Sequence, residues 1–353
     1  VSYNIPANTD QNQFTDPDES REQLRKRVSK HPELEYQPLG LSEEGRPLYA
    51  VEFGEGPLRV SLLAGAHSDE PVGPETLRLF INTLMAESGQ KSIKKLKETF
   101  TFHIIPHINP DGEAVNWQWI RKWPDMDSYL QHAFREQPGR DLEFGYPNMR
   151  VENRLVSSYL RSQGTFDLHM SLHGMAFSEG LMLLIERHWI DQTESLRNHF
   201  KALADQNGLP LHDHDRGGEK GFKYIAPGFS TTPEGRAMRQ HFENKGDTET
   251  AQKFHLSSME YVRSLGGSPL CLVTELPLFL VAFKEEPEKT EPDQPEAYLS
   301  LKEKIPLLRK RRSQGESFDD LLAPYKFTSL PLSTALSIQF RTIEAALELI
   351  EEA

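Results

Sequence analysis

The chain has 353 residues, with 40 Lys+Arg against 53 Asp+Glu and a formal net charge of −13. That length suits one large α/β domain or two smaller ones, and the acidic balance argues against nucleic acid or an anionic membrane as a partner. The single cysteine, Cys271, excludes an intramolecular disulfide and a Cys-rich zinc site, so a bound metal would need histidines and carboxylates; no run reaches the ~20 apolar residues of a membrane helix, no signal peptide is visible at the start, and the cytoplasm is the expected compartment.

Residues 1–17 are polar and read as an extended arm. Asp18 to Ser29, rich in charged helix formers, is expected to be helical. Leu39 to Phe53 reads as two strands around a Glu44-Gly45 turn. Val60 to Ala64 is a short apolar run, the pattern of a buried strand. It stops at Gly65-Ala-His67-Ser-Asp-Glu70-Pro71-Val-Gly73-Pro74. The prolines suit the first turn of a helix, where a missing N–H costs little. That helix is predicted over about 73–87, with Leu77, Leu79, Phe80 and Leu84 as its apolar positions. His67 and Glu70 therefore fall on the corner where a strand hands over to a helix. Open α/β sheets bind ligands at such corners, and an imidazole with a nearby carboxylate can share a zinc ion.

Thr101 to Ile108 is the next strand, followed by the turn signature Asn109-Pro-Asp111-Gly112. Glu113 to Phe144 is a long aromatic-rich connection, a length that usually carries function or its own helices. Glu152 to Arg161 is predicted helical. Phe166 to Leu172 is a strand that stops at His173-Gly174, Leu181 to Ile185 is another strand, and Trp189 to Asn207 is an amphipathic helix. Residues 208–247 are loop-rich; their His212-Asp213-His214-Asp215 reads as an exposed polar loop rather than a second metal site. Leu270 to Thr274 is a strand that stops at Glu275. Lys284 to Glu296 is charged and proline-rich, a surface linker, and 297–313 and 333–352 read as helices, the last packing back on the body. There is no internal repeat, which excludes a solenoid.

Four apolar runs thus stop at residues of catalytic type: His67/Glu70, Asn109-Pro-Asp111, His173 and Glu275. If the strands are mostly parallel, these stops gather on one edge of the sheet.

The set resembles the zinc metallocarboxypeptidase family, the carboxypeptidase A-like peptidases with their cytosolic and bacterial relatives. The resemblance rests on Gly45-Arg-Pro-Leu-Tyr-Ala50, Gly65-Ala-His67-Ser-Asp-Glu70-Pro-Val-Gly73, Asn109-Pro-Asp-Gly112, Ser171-Leu-His173-Gly174 and Thr274-Glu275-Leu276, in this order. It spans about residues 18–285. It implies a zinc ion, one per chain, held by His67, Glu70 and His173 with the fourth position left to water. His169 is a rival third ligand, because positions 169 and 173 share a face of one strand. The resemblance further implies Glu275 as general base and Arg121, in Trp119-Ile-Arg121-Lys122, as the cation that stabilises the oxyanion. Asp111 is a candidate to orient a ligand histidine.

The chain also departs from the family. The family Asn-Arg pair that binds the substrate's terminal carboxylate aligns with Glu143-Phe144 in Gly139-Arg140-Asp141-Leu142-Glu143-Phe144. A carboxylate cannot clamp a carboxylate, so Glu143 is expected to meet an ammonium group, with Arg140, Arg150 or Arg263 returning a cation to the pocket.

The expectation is an α/β fold with a mixed, mostly parallel sheet of about eight strands and helices on both faces. Residues 18–285 would form the catalytic domain, and 286–353 a linker and C-terminal helices packed upon it. The expected function is zinc-dependent hydrolysis of an amide at the end of a peptide, with unusual recognition of the terminal group. An N-acyl amino acid deacylase and a silent zinc-containing peptide-binding module are the alternatives. The expected partner is a peptide or an acylated amino acid, with no nucleic acid and no membrane.

Overall fold

A computed structural model describes residues 3–285 and 294–353. The linker expected over 284–296 lies largely outside the described residues. The strands are β1 (Leu34–Leu41), β2 (Pro47–Phe53), β3 (Leu58–Ala64), β4 (Phe100–Ile105), β5 (Leu168–Ser178), β6 (Met182–Ile185), β7 (Tyr224–Ala226), β8 (Phe229–Thr231), β9 (Leu270–Phe283) and β10 (Tyr325–Ser329). They form one mixed sheet in the order β1-β2-β4-β3-β5-β9-β6-β8-β7, with β10 also paired to β9.

The centre, β4-β3-β5-β9, is parallel. Its strands are apolar on both faces, as in β3, where Val60 to Ala64 are all buried. Antiparallel pairs flank this centre: β1 with β2, β2 with β4, β9 with β6 and β10, and β7 with β8. Among the described residues the sheet has ten strands, against about eight expected, and its parallel pairing is the central run together with β6 and β8. The extra strands carry weak signals. β7 and β8 have three residues each, too few for a period to be read, and β10 has five.

Two strands run past the points where their apolar runs stop. β5 continues from Leu172 to Ser178, and β9 from Thr274 to Phe283. They stay in parallel register throughout, with His173 opposite Glu275. β3 does not follow them, since its last partner on β5 is Leu172, opposite Ala64. A crevice opens where β3 ends, and His173 and Glu275 lie beside it in mid-strand.

Gly65 makes the exit from β3. It has φ +77, and a Cβ there would come within 2.4 Å of His107 Nδ1, so only glycine fits without strain. Gly73 lets the following helix, Val72–Ala86, approach β5; a Cβ would meet the Leu172 carbonyl oxygen at 2.4 Å. The Asn109-Pro-Asp-Gly signature starts the helix Pro110–Ile120, with the Asn109 side chain capping Gly112 N at 3.1 Å. The long connection after it holds a second helix, Met126–His132.

Both chain ends lie on this body. The helix Leu332–Glu352 packs against Val72–Ala86 and Glu194–Gln206. The N-terminal arm is pinned to that C-terminal helix: Tyr3 N donates to Glu348 and Ile5 N to Glu344. Among the described residues no helix is long and apolar enough to cross a membrane.

Candidate metal centre

The strand-to-helix corner carries His67 and Glu70, and mid-strand β5 carries His173. Their donor atoms converge. His67 Nδ1 lies 3.0 Å from Glu70 Oε1, His173 Nδ1 lies 3.0 Å from Glu70 Oε2, and the two Nδ1 atoms are 3.0 Å apart. All three residues offer ligand atoms within 4.8 Å of one another. Two ring nitrogens facing each other this closely need a proton or a cation between them. Zinc ligands about 2.0–2.2 Å from a common centre would have such separations, so the donor set fits a metal of that kind.

The electrostatics point the same way. Burial opposes a charged His173 ring, yet hydrogen bonds donated to Glu143 and Glu70 hold its pKa up at about 9. Burial and Arg135 oppose a charged His67, and the charges of Glu70 and Asp141 outweigh them. The corner demands positive charge.

Each ligand ring is held from behind by a carboxylate of one short segment. Asp141 Oδ1 is 3.4 Å from His67 Nε2, and Glu143 Oε2 is 3.1 Å from His173 Nε2. Such partners fix the ring and its tautomer and leave the other nitrogen for a metal. Ser171 Oγ adds a 2.8 Å contact to His173 Nε2.

Glu275 stands across from His173 on β9. Its Oε2 is buried with no hydrogen-bond partner. Burial, then the negative charge of Glu70, pushes its carboxyl up to about 7. An unpartnered carboxyl beside a candidate metal corner is suited to taking a proton from water.

Several expected residues stand elsewhere. Arg121 is exposed at the C-terminal cap of Pro110–Ile120 and lines neither cavity beside Glu275. The guanidinium at the centre is that of Arg135, whose Nη1 lies 2.7 Å from Glu70 and 2.9 Å from Asp69. Both arginines sit in the same long connection, and spacing alone does not say which one turns inward. Glu143, expected to meet a substrate ammonium, is engaged within the protein. One oxygen accepts from Ser258 N at 2.9 Å and Ser258 Oγ at 2.8 Å, and the other faces His173. Arg140 pairs with Glu43 at the surface. Arg150 is buried against Glu152. Arg263 pairs with Glu186 and Glu234, away from the ligand residues. Asp111 binds Ser42, Glu44 N and Arg46 instead of a ligand histidine. His169 is buried outside the cluster, 3.2 Å from Ser61 Oγ, and burial drives its pKa down to about 4.

The residues that sequence reading missed are Asp141, Arg135 and Gln339. Asp141 had a signal, since it stands two residues before the aligned Glu143. Gln339, on the C-terminal helix, donates to the His173 carbonyl at 3.2 Å and to Thr274 Oγ1 at 3.0 Å, bracing both site strands from below. Nothing local in the sequence marks it.

The profile of the zinc carboxypeptidase family matches residues 21–182. Zinc carboxypeptidase A 1 of Anopheles gambiae is 28% identical over 161 residues, which are 44% of this chain and 37% of that protein. The inactive metallocarboxypeptidase ECM14 of Ajellomyces capsulatus (strain H143) is 35% identical over 134 residues, 34% of this chain and 22% of that protein. The chain thus spans well under half the length of these relatives. Among solved structures, a metallo-carboxypeptidase from Burkholderia cenocepacia superposes with a TM-score of 0.56 at 15% identity, covering 96% of this chain and 70% of that one. At that identity the likeness is one of fold.

Proposed function

We propose that the chain, which over residues 21–182 matches the zinc carboxypeptidase family, hydrolyses an amide bond at the end of a peptide, using zinc held by His67, Glu70 and His173. The observation that carries this reading is the convergence of those three donor groups beside the unpartnered carboxyl of Glu275. When bound, zinc polarises the scissile carbonyl and acidifies water.

The chain's own residues do the rest. Asp141 and Glu143 hold the two imidazoles in the tautomer that presents Nδ1 to the corner. Glu275 takes a proton from the attacking water and returns it to the leaving amine, so the amine departs neutral. Arg135 neutralises Asp69 and Glu70 through Nη1. Arg135 also borders both cavities beside Glu275, where its cation can meet charge developing on the carbonyl oxygen. The aligned carboxylate-clamp position is occupied by Glu143 and Phe144, so the terminal group must be recognised elsewhere.

Likeness to that family does not by itself bring turnover, since one relative is named inactive. The retained Glu275 supports an active chain. The test is incubation of the zinc-loaded protein with a peptide library and with N-acyl amino acids. Release of C-terminal residues is expected. Hydrolysis of the acyl amino acids alone would replace this reading with a deacylase, and no turnover of either would sink it.

A further inference from the structure

Two small cavities meet at Glu275, of about 250 Å³ and about 240 Å³. Arg135, Arg216, Phe222 and Glu275 border both. The Arg216 guanidinium lies over the Phe222 ring, 4.0 Å from its centroid, so a planar cation is held flat at the junction. Lys220 lines one cavity and Lys302 the other. Lys302 comes from the helix Glu296–Ser313, far along the chain from the ligand residues.

These three cations lack ion-pair partners among the described residues. Glu219, the carboxylate that acts on both lysines, lies 3.5 Å from His241 Nε2 and within ion-pair distance of neither lysine. Asp215 caps Gly217 N at 2.8 Å. Burial and the neighbouring cations push both lysine ammoniums below their ordinary range. Lys220 also holds a left-handed backbone, φ +57, unusual for a residue with a side chain. Three half-buried or exposed cations that face the two cavities without a paired carboxylate make a positive field suited to an anion from outside.

The cation count favours more than one negative charge. Arg135 is engaged by Asp69 and Glu70. One terminal carboxylate would answer one of the three remaining cations and leave two. We propose that the cavities beside Glu275 bind a terminal residue carrying two carboxylates, an acidic C-terminal amino acid, through Arg216 together with Lys220 and Lys302. The bond cut rests on the peptidase reading above; the dicarboxylate site does not.

Calorimetric titration of the zinc-loaded protein with N-acetyl-glutamate and with N-acetyl-lysine tests the site without turnover. The glutamate derivative should bind at least ~10-fold tighter. Arg216→Gln and Lys302→Gln should each weaken it several-fold, the pair together by roughly one decade if the sites add, and Arg216→Lys should restore part of the loss. Unfolding curves for each variant identify any that fail to fold, and Lys302→Gln, at an exposed position, remains as the second measurement. Unchanged affinity in folded Arg216→Gln and Lys302→Gln, with the carboxylates held by zinc alone, would overturn the proposal, and so would equal binding of the two derivatives. Peptides ending in Glu or Asp should also be processed in preference to those ending in Lys. If no peptide is cut while acidic binding still depends on Arg216, the peptidase reading falls and the dicarboxylate site stands.

Discussion

Glu143 Oε2 lies 3.1 Å from His173 Nε2, while Nδ1 of the same ring faces Glu70 at 3.0 Å. The carboxylate therefore serves the ligand ring and is held in turn by Ser258. Glu143→Ala should lower zinc affinity about 10–100-fold, the usual effect of losing such a partner. Competition with a chelator measures it. Unaltered zinc affinity with weakened peptide binding would return Glu143 to the substrate.

The two arginines of the long connection separate cleanly. Arg121→Ala, at an exposed helix end, should leave kcat and zinc content near wild type. Arg135→Ala should reduce kcat by roughly 10²–10³-fold if its guanidinium meets the developing oxyanion. Zinc content measured on both variants shows whether any loss comes from the disturbed Glu70 instead.

Glu275→Gln is nearly isosteric and removes only the proton acceptor. Zinc content and the unfolding midpoint should hold, and kcat should fall roughly 10²–10⁴-fold. Wild-type kcat in that variant would remove Glu275 from the mechanism.

His212 is buried with both ring nitrogens unpartnered. Burial, then His214, Arg216 and Lys302, drive its pKa down to about 3. The native ring is neutral, whereas the unfolded ring takes a proton below about 6.5. Its contribution to stability is therefore complete above that pH and is lost as pH falls towards the folded value, by up to about 1.4 kcal/mol per pH unit. His212→Phe should flatten the fall of unfolding free energy between pH 6.5 and 4 relative to wild type. Parallel curves for the two proteins would show that His212 is paired or solvated in solution.

Gln339 links the C-terminal helix to both site strands and accepts from Thr76 Oγ1 at 2.7 Å. Gln339→Leu removes the partner of the buried Thr274 hydroxyl and should destabilise the protein by roughly 1–3 kcal/mol, read by denaturant unfolding. An unchanged midpoint would show that the helix is not a structural part of the centre.

The strand-to-helix corner was legible because one strand, one helix and the ligands between them are contiguous in sequence. Val60 to Ala64, Gly65 and Pro71 each narrow the local conformation, and His67 and Glu70 follow from them. The extents of β5 and β9 were not legible, because His173 and Glu275 interrupt their apolar runs in mid-strand. Those polar residues are tolerated there because β3 has already ended and the crevice lies beside them. The Asn109-Pro-Asp-Gly turn was read at the right place but as a turn alone; the same residues cap a helix.

The α/β class, the His67/Glu70 corner and the residue types available to a metal can be read from local pattern and composition. Which residues surround the corner depends on the folded chain. It turned Arg135 inward and left Arg121 outside, set Asp141 and Glu143 behind the two imidazoles, and brought Lys302 beside Arg216. Those relationships join parts of the chain far apart in number. They are fixed by how buried charges find partners once the sheet has formed, a constraint that acts through space and leaves no period or spacing in the sequence.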